Sequence, residues 1–186
     1  MQLPRIIQDG VDAMVATWPL ARAVARTGQL GMVSGPLLPV IVARRLQDGD
    51  PGGHLRTAFE HFPWPGMARR VWEEFFRPGG RSPEEPYAPI LQPHLDQGPA
   101  LTELAVLAGF AEVFLARQDH TGPVGIHFAT RARLPLLPTL YGALLAQPAW
   151  ISLRDPDAAV LDAVKRLAAG ERASVEAMPD AKAIGP

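Results

Sequence analysis

Cysteine is absent from all 186 residues, which excludes disulfides, zinc–thiolate centres and thiol nucleophiles. Neither charge is in excess: 18 Lys and Arg stand against 19 Asp and Glu, a formal net charge of −1. The basic residues are scattered, Arg44-Arg45 and Arg69-Arg70 being pairs rather than a stripe, so no nucleic-acid partner is expected. No uninterrupted apolar run approaches the roughly 18 residues of a membrane-spanning helix, so no membrane span is expected. The N-terminal Met1-Gln2-Leu3-Pro4-Arg5 lacks a basic stretch leading into an apolar one. No signal peptide is read there, and a cytoplasmic location is expected. Low-complexity segments and internal repeats are also missing. The histidines at 54, 61, 94 and 120 follow no metal-ligand spacing, and no metal site is expected.

What is present is the composition of one globular domain, 47% hydrophobic and 20% charged, long enough to bury a sizeable core. Twenty prolines and 17 glycines cut the chain into short elements. Arg5 to Gln8 is a short β-rich run. Thr17 is placed to cap a helix opened by Trp18 and Pro19, with Leu20, Ala21, Val24 and Ala25 on one face and Gly28 at its end. Leu30 to Ser34 is an apolar run bounded by glycines, which suits a buried strand. Helices are then predicted over 40–47, from an Asp50-Pro51 start through Leu55, Ala58 and Phe59, and over 65–76. The proline-rich stretch 77–99 is an irregular excursion of a length that is usually functional or a family-specific insertion. Beyond it come a helix over 101–117, a strand over 124–128, a helix over 138–147 and a strand over 150–153. A helix capped by Asp155 follows, with Val160, Leu161, Val164 and Leu167 toward the core, and 173–177 is a candidate last strand.

This grammar, β-α repeated about four times, predicts an α/β fold with a parallel sheet and right-handed crossovers. It is read as one domain over 1–186 with a helical and proline-rich insertion after the second strand, at about 38–122.

The string around "RIIQ" and "TWPLARAVARTGQLGMVSGP" resembles the nitronate monooxygenases, or 2-nitropropane dioxygenases. The resemblance continues through "ARRLQDGDPGGHLRTAFEHFPWPGMARRV", "RPGGRSP", "TELAVLAGFAEVFLARQDHTGPVGIHF" and "LPLLPTLYGALLA", and covers roughly residues 4 to 170. It implies a TIM-type (β/α)₈ barrel holding FMN at the C-terminal ends of its strands, and oxidation of alkyl nitronates with molecular oxygen. A complete barrel of this type needs about 250 residues. The expectation for this chain is therefore a half barrel, the N-terminal part of such an enzyme, with a homodimer or a completing chain as partner. A non-catalytic half-barrel remnant, acting as an oligomerisation or binding module, is the alternative.

Carried over position by position, the resemblance points to Gly10, Val11, Ser34 and His127 as cofactor-facing residues. No catalytic residue is assigned. The family's glycine-rich loop after the first strand reads Asp9-Gly10-Val11-Asp12 here, which puts carboxylates where a phosphate-bearing cofactor would pass. Asp9 and Asp12 read either as an acid/base pair at a strand's C-terminal end or as turn polarity. His127 stands where the family usually has Asn, and a neutral imidazole still offers one donor or acceptor. The family's glycine-rich turn after the fourth strand is replaced by Leu153-Arg154-Asp155-Pro156-Asp157, which has no glycine.

Overall fold

The computed structural model describes residues 4–9, 15–90, 99–129 and 136–174. Seven helices and three strands occur among them: α1 (Trp18–Ala25), β1 (Gly31–Ser34), α2 (Leu38–Gln47), α3 (His54–Glu60), α4 (Pro65–Phe75), α5 (Pro99–Arg117), β2 (Val124–Ala129), α6 (Leu136–Leu145), β3 (Trp150–Arg154) and α7 (Ala158–Ala168). The strands form one parallel sheet in chain order, β1-β2-β3. The expected first strand is reduced to a parallel bridge between Ile7 and Leu30, tied by Gln8 N–H to the Leu30 carbonyl at 3.0 Å and Leu30 N–H to the Ile6 carbonyl at 3.1 Å. The protein is thus α/β with a parallel sheet, as its alternation of strands and helices predicts.

Side chains alternate across a strand, and here the two faces have different company. Val33, Val124, Ile126 and Phe128 join the main core with Ala21 and Ala25 of α1 and the apolar side of α5. Gly31 lies on that face too, so close to α1 that a Cβ would collide with the Ala21 carbonyl. The opposite face carries Leu30, Met32, Ser34, Gly125, His127, Trp150, Ser152 and Arg154.

Helix α5 is the hub, packing on α1, α2, α3, α4 and α6. It is long and apolar enough to cross a membrane, yet 67% of its apolar window is buried inside the fold. Its contact with α6 is backbone-close: a Cβ on Gly109 would meet the Thr139 carbonyl, and one on Gly142 the Val106 carbonyl. One charged residue of α5 is fully buried. Glu112 accepts a hydrogen bond from Trp18 N–H at 2.9 Å and an ion pair from Arg45 on α2.

Several local expectations are corrected. Thr17 stands at the N-cap of α1 but makes no side-chain cap, and it is Glu112 that accepts the Trp18 N–H. Asp50 caps α3 from a distance, accepting from Leu55 N–H at 3.0 Å and Arg56 N–H at 2.9 Å, while Gly53 holds the N-cap position. Helix α7 is capped by Asp157, which accepts from Val160 N–H, rather than by Asp155. Leu20 and Leu161 turn outward, and the buried positions of their helices are Ala21, Ala25, Val160 and Ala163. No strand forms over 171–174, and the rest of the expected last strand lies outside the described residues.

Candidate functional site

The register places Ser34 beside His127 and His127 beside Ser152. Paired residues of parallel strands point to the same side, so these three form one polar row across the sheet, on the face away from α1 and α5. Ser34 ends β1, while His127 and Ser152 lie in the middle of β2 and β3; parallel sheets place their ligands at and beyond the C-terminal ends of such strands. One row below, Met32, Gly125 and Trp150 align. A Cβ on Gly125 would strike Met32 Sδ and crowd Trp150, so only glycine lets those two side chains meet across β2.

His127 is buried, and its Nδ1 lies 3.0 Å from Ser152 Oγ. Its other ring nitrogen, Nε2, has no partner among the described residues, and neither has the buried Ser34 Oγ nor Trp150 Nε1. Ser34 is 1% exposed and His127 6% exposed, so water does not satisfy these groups from bulk solvent. An unsatisfied buried donor costs roughly 1–3 kcal/mol, which a bound polar molecule would relieve. Burial lowers the His127 pKa below its ordinary value, the Arg154 charge lowers it further, and Asp9 opposes both. The imidazole is therefore neutral at pH 7, with one nitrogen held by Ser152 and the other available.

The pocket at this row has a volume of about 270 Å³ and is lined by Ile7, Asp9, Leu30, Met32, His127, Trp150, Ile151 and Ser152. Small-molecule sites usually span about 300–1,000 Å³, and this pocket falls just below that range. The fit to FMN is partial. Ser34 Oγ and His127 Nε2 suit the polar edge of a flavin ring, whereas the Asp9 carboxylate repels a phosphate. The Ser34–His127–Ser152 row lacks the parts of a hydrolytic triad, since no carboxylate among the described residues bonds the second imidazole nitrogen.

Of the four residues singled out in the sequence, Ser34 and His127 are neighbours in register, whereas Gly10 and Val11 lie outside the described residues, as does Asp12. Asp9 lines the pocket. Ser152 is not singled out by the sequence, and Arg154 only as part of the turn after the fourth strand. Their signal is the alternation Trp-Ile-Ser-Leu-Arg in β3, which puts residues 150, 152 and 154 on one face. Just past Ser34, Leu37 adopts φ 61°, a left-handed conformation that is strained for a bulky side chain, at the end of β1 that faces the site. Three of the remaining histidines have structural roles. His54 packs edge-on against Trp18, His61 bonds the Thr57 carbonyl, and His120 bonds the Ala116 carbonyl. His94 lies outside the described residues. Among the described residues no three His, Asp or Glu side chains are grouped to hold a metal ion.

No family model, curated protein or solved structure matches the chain.

Proposed function

We propose that this chain is half of a nitronate monooxygenase-type β/α barrel, an FMN-dependent oxidoreductase unit that becomes complete when further strands close over its inner sheet face. The observation that carries the reading is the in-register row Ser34–His127–Ser152, in which Ser34 and His127 are buried and each keeps a polar atom without a partner among the described residues, on parallel strands that run in chain order. Strands in unbroken chain order suit a barrel rather than a doubly wound sheet, whose order reverses at its binding crevice. FMN, when bound, would carry electrons from an alkyl nitronate to molecular oxygen. Within the chain, His127 Nε2 and Ser34 Oγ would orient the polar edge of the ring, Ser152 would fix the His127 tautomer, and Leu30, Met32 and Trp150 would exclude water beneath it.

A second reading, a half barrel without flavin that serves as a binding or oligomerisation module, draws on two features. These are the small pocket of about 270 Å³ and the Asp9 carboxylate at its rim.

Titration of FMN into the purified protein, followed by flavin absorbance and fluorescence, separates the two. The proposed function expects a perturbed flavin band, weakened at least tenfold by His127→Ala and by Ser34→Ala, and then nitronate-dependent oxygen uptake. A flavin spectrum unchanged at saturating protein would sink it in favour of the module.

A further inference from the structure

We propose that the sheet is closed by a second copy of this chain, two half barrels related by a two-fold axis along the strands. This rests on the half-barrel reading above.

Topology is the first support. The Ile7 segment, β1, β2 and β3 are all parallel and follow chain order. A two-fold axis parallel to the strands preserves their direction. It sets the Ile7 segment of one copy beside β3 of the other with every strand still parallel. Four such positions, doubled, give the eight of a closed β/α barrel.

Stagger is the second. Ile7 pairs with Leu30, and the registers carry that line across the sheet to Pro123 and Pro148, two residues before β3 begins. Measured from that line, β1 and β2 begin one residue later and β3 two, so the strands climb by two residues as the sheet is crossed. Closure of an eight-stranded barrel requires such a climb, a shear of about 8 residues around the ring and so about 4 across half of it. With a shear of about 8, the Ile7 segment of the second copy enters about 4 residues beyond Pro148. Ile7 then faces Ser152 of the other copy, and Asp9 faces Arg154.

The chemistry of the two edges is the third. Ile6 and Ile7 are each 62% exposed on one edge, and Trp150 and Ile151 are half-buried at the other. Asp9 and Arg154 carry opposite charges, lie on the same face, and both act on His127. The stagger brings this complementary pair together at both junctions, and a net charge of −1 per copy adds little repulsion. Exposed apolar edges of this kind associate unless something pairs with them.

The test uses the cysteine-free chain as a background. Light scattering after size exclusion is expected to give twice the 20.1 kDa chain mass. Oxidised Ile7→Cys/Ser152→Cys protein is expected to run as a covalent dimer, whereas neither single variant does so. Within one chain those positions are three strand spacings apart, about 14 Å, beyond the roughly 7 Å that a disulfide spans between Cα atoms. Asp9→Arg is expected to weaken the dimer at least tenfold, and Asp9→Arg/Arg154→Asp to restore it. A monomer at every concentration reached, a dimer that the cysteine pair does not link, or a ladder of higher covalent oligomers would each overturn the proposal. A monomer that still perturbs FMN sinks the dimer and leaves the flavin reading standing. An unsubstituted dimer that leaves FMN unchanged, while the cysteine pair links it, does the reverse.

Discussion

Glu112 Oε2 accepts a hydrogen bond from the backbone N–H of Trp18 at 2.9 Å, across 94 residues of chain. The carboxylate thus caps α1 from the C-terminal part of α5, at the positive end of the α1 dipole, while its other oxygen holds Arg45. Ala16, two residues before Trp18, accepts the Ser34 N–H at 2.7 Å, so the cap also fixes the backbone beside the polar row.

Truncating this cap is expected to be costly. Glu112→Ala leaves Arg45 and the Trp18 N–H without their buried acceptor and should cost about 3 kcal/mol. Burial pushes the Glu112 carboxyl above its ordinary pKa, against the pull of Arg45 and the Trp18 N–H. Glu112→Gln keeps an acceptor for Trp18 and avoids burying a charge, so it should cost less than about 1 kcal/mol. Urea midpoints at pH 7 would check the order; equal losses would contradict it.

The His127 pKa is depressed chiefly by burial. The folded state therefore binds fewer protons than the unfolded chain in the acid range. Stability from this group is fully present above the unfolded value of about 6.5 and is lost as pH falls through the lower folded value. His127→Gln should flatten that part of the profile. Denaturation at pH 7.5 and pH 5 for both proteins, with an NMR titration of the ring, is the check. A ring titrating above about 6.5 would reverse the sign.

Backbone-close packing between α5 and α6 predicts a steep penalty at one glycine and a mild one at another. Gly142→Ala drives a methyl into the Val106 carbonyl and should cost about 3 kcal/mol. Gly28→Ala meets nothing within 4 Å but must hold φ +79°, so it should cost about 1 kcal/mol. Thermal midpoints would separate the two, and similar losses would mean that the helices can part.

Much of the local structure was legible. The period of 3.6 in Leu104, Ala105 and Ala108 marks α5, and the glycine-bounded apolar run before Ser34 marks β1. Caps were less legible. Thr17 and Asp155 have the right chemistry, but the acceptors at these helix starts are Glu112, brought in from α5, and Asp157. Of the site, His127 and Ser34 could be picked out from the sequence, whereas Ser152 was visible only as one beat of a period-2 strand.

The sequence by itself determined the alternation of strands and helices, the absence of thiol chemistry and the near-neutral charge, because these depend on composition and on contacts between near neighbours. Tertiary structure alone decided that Ser34, His127 and Ser152 share one row and that Glu112 caps a helix 94 residues away. Register between strands and the aim of a buried carboxylate are set by packing between distant segments, and no local pattern encodes them.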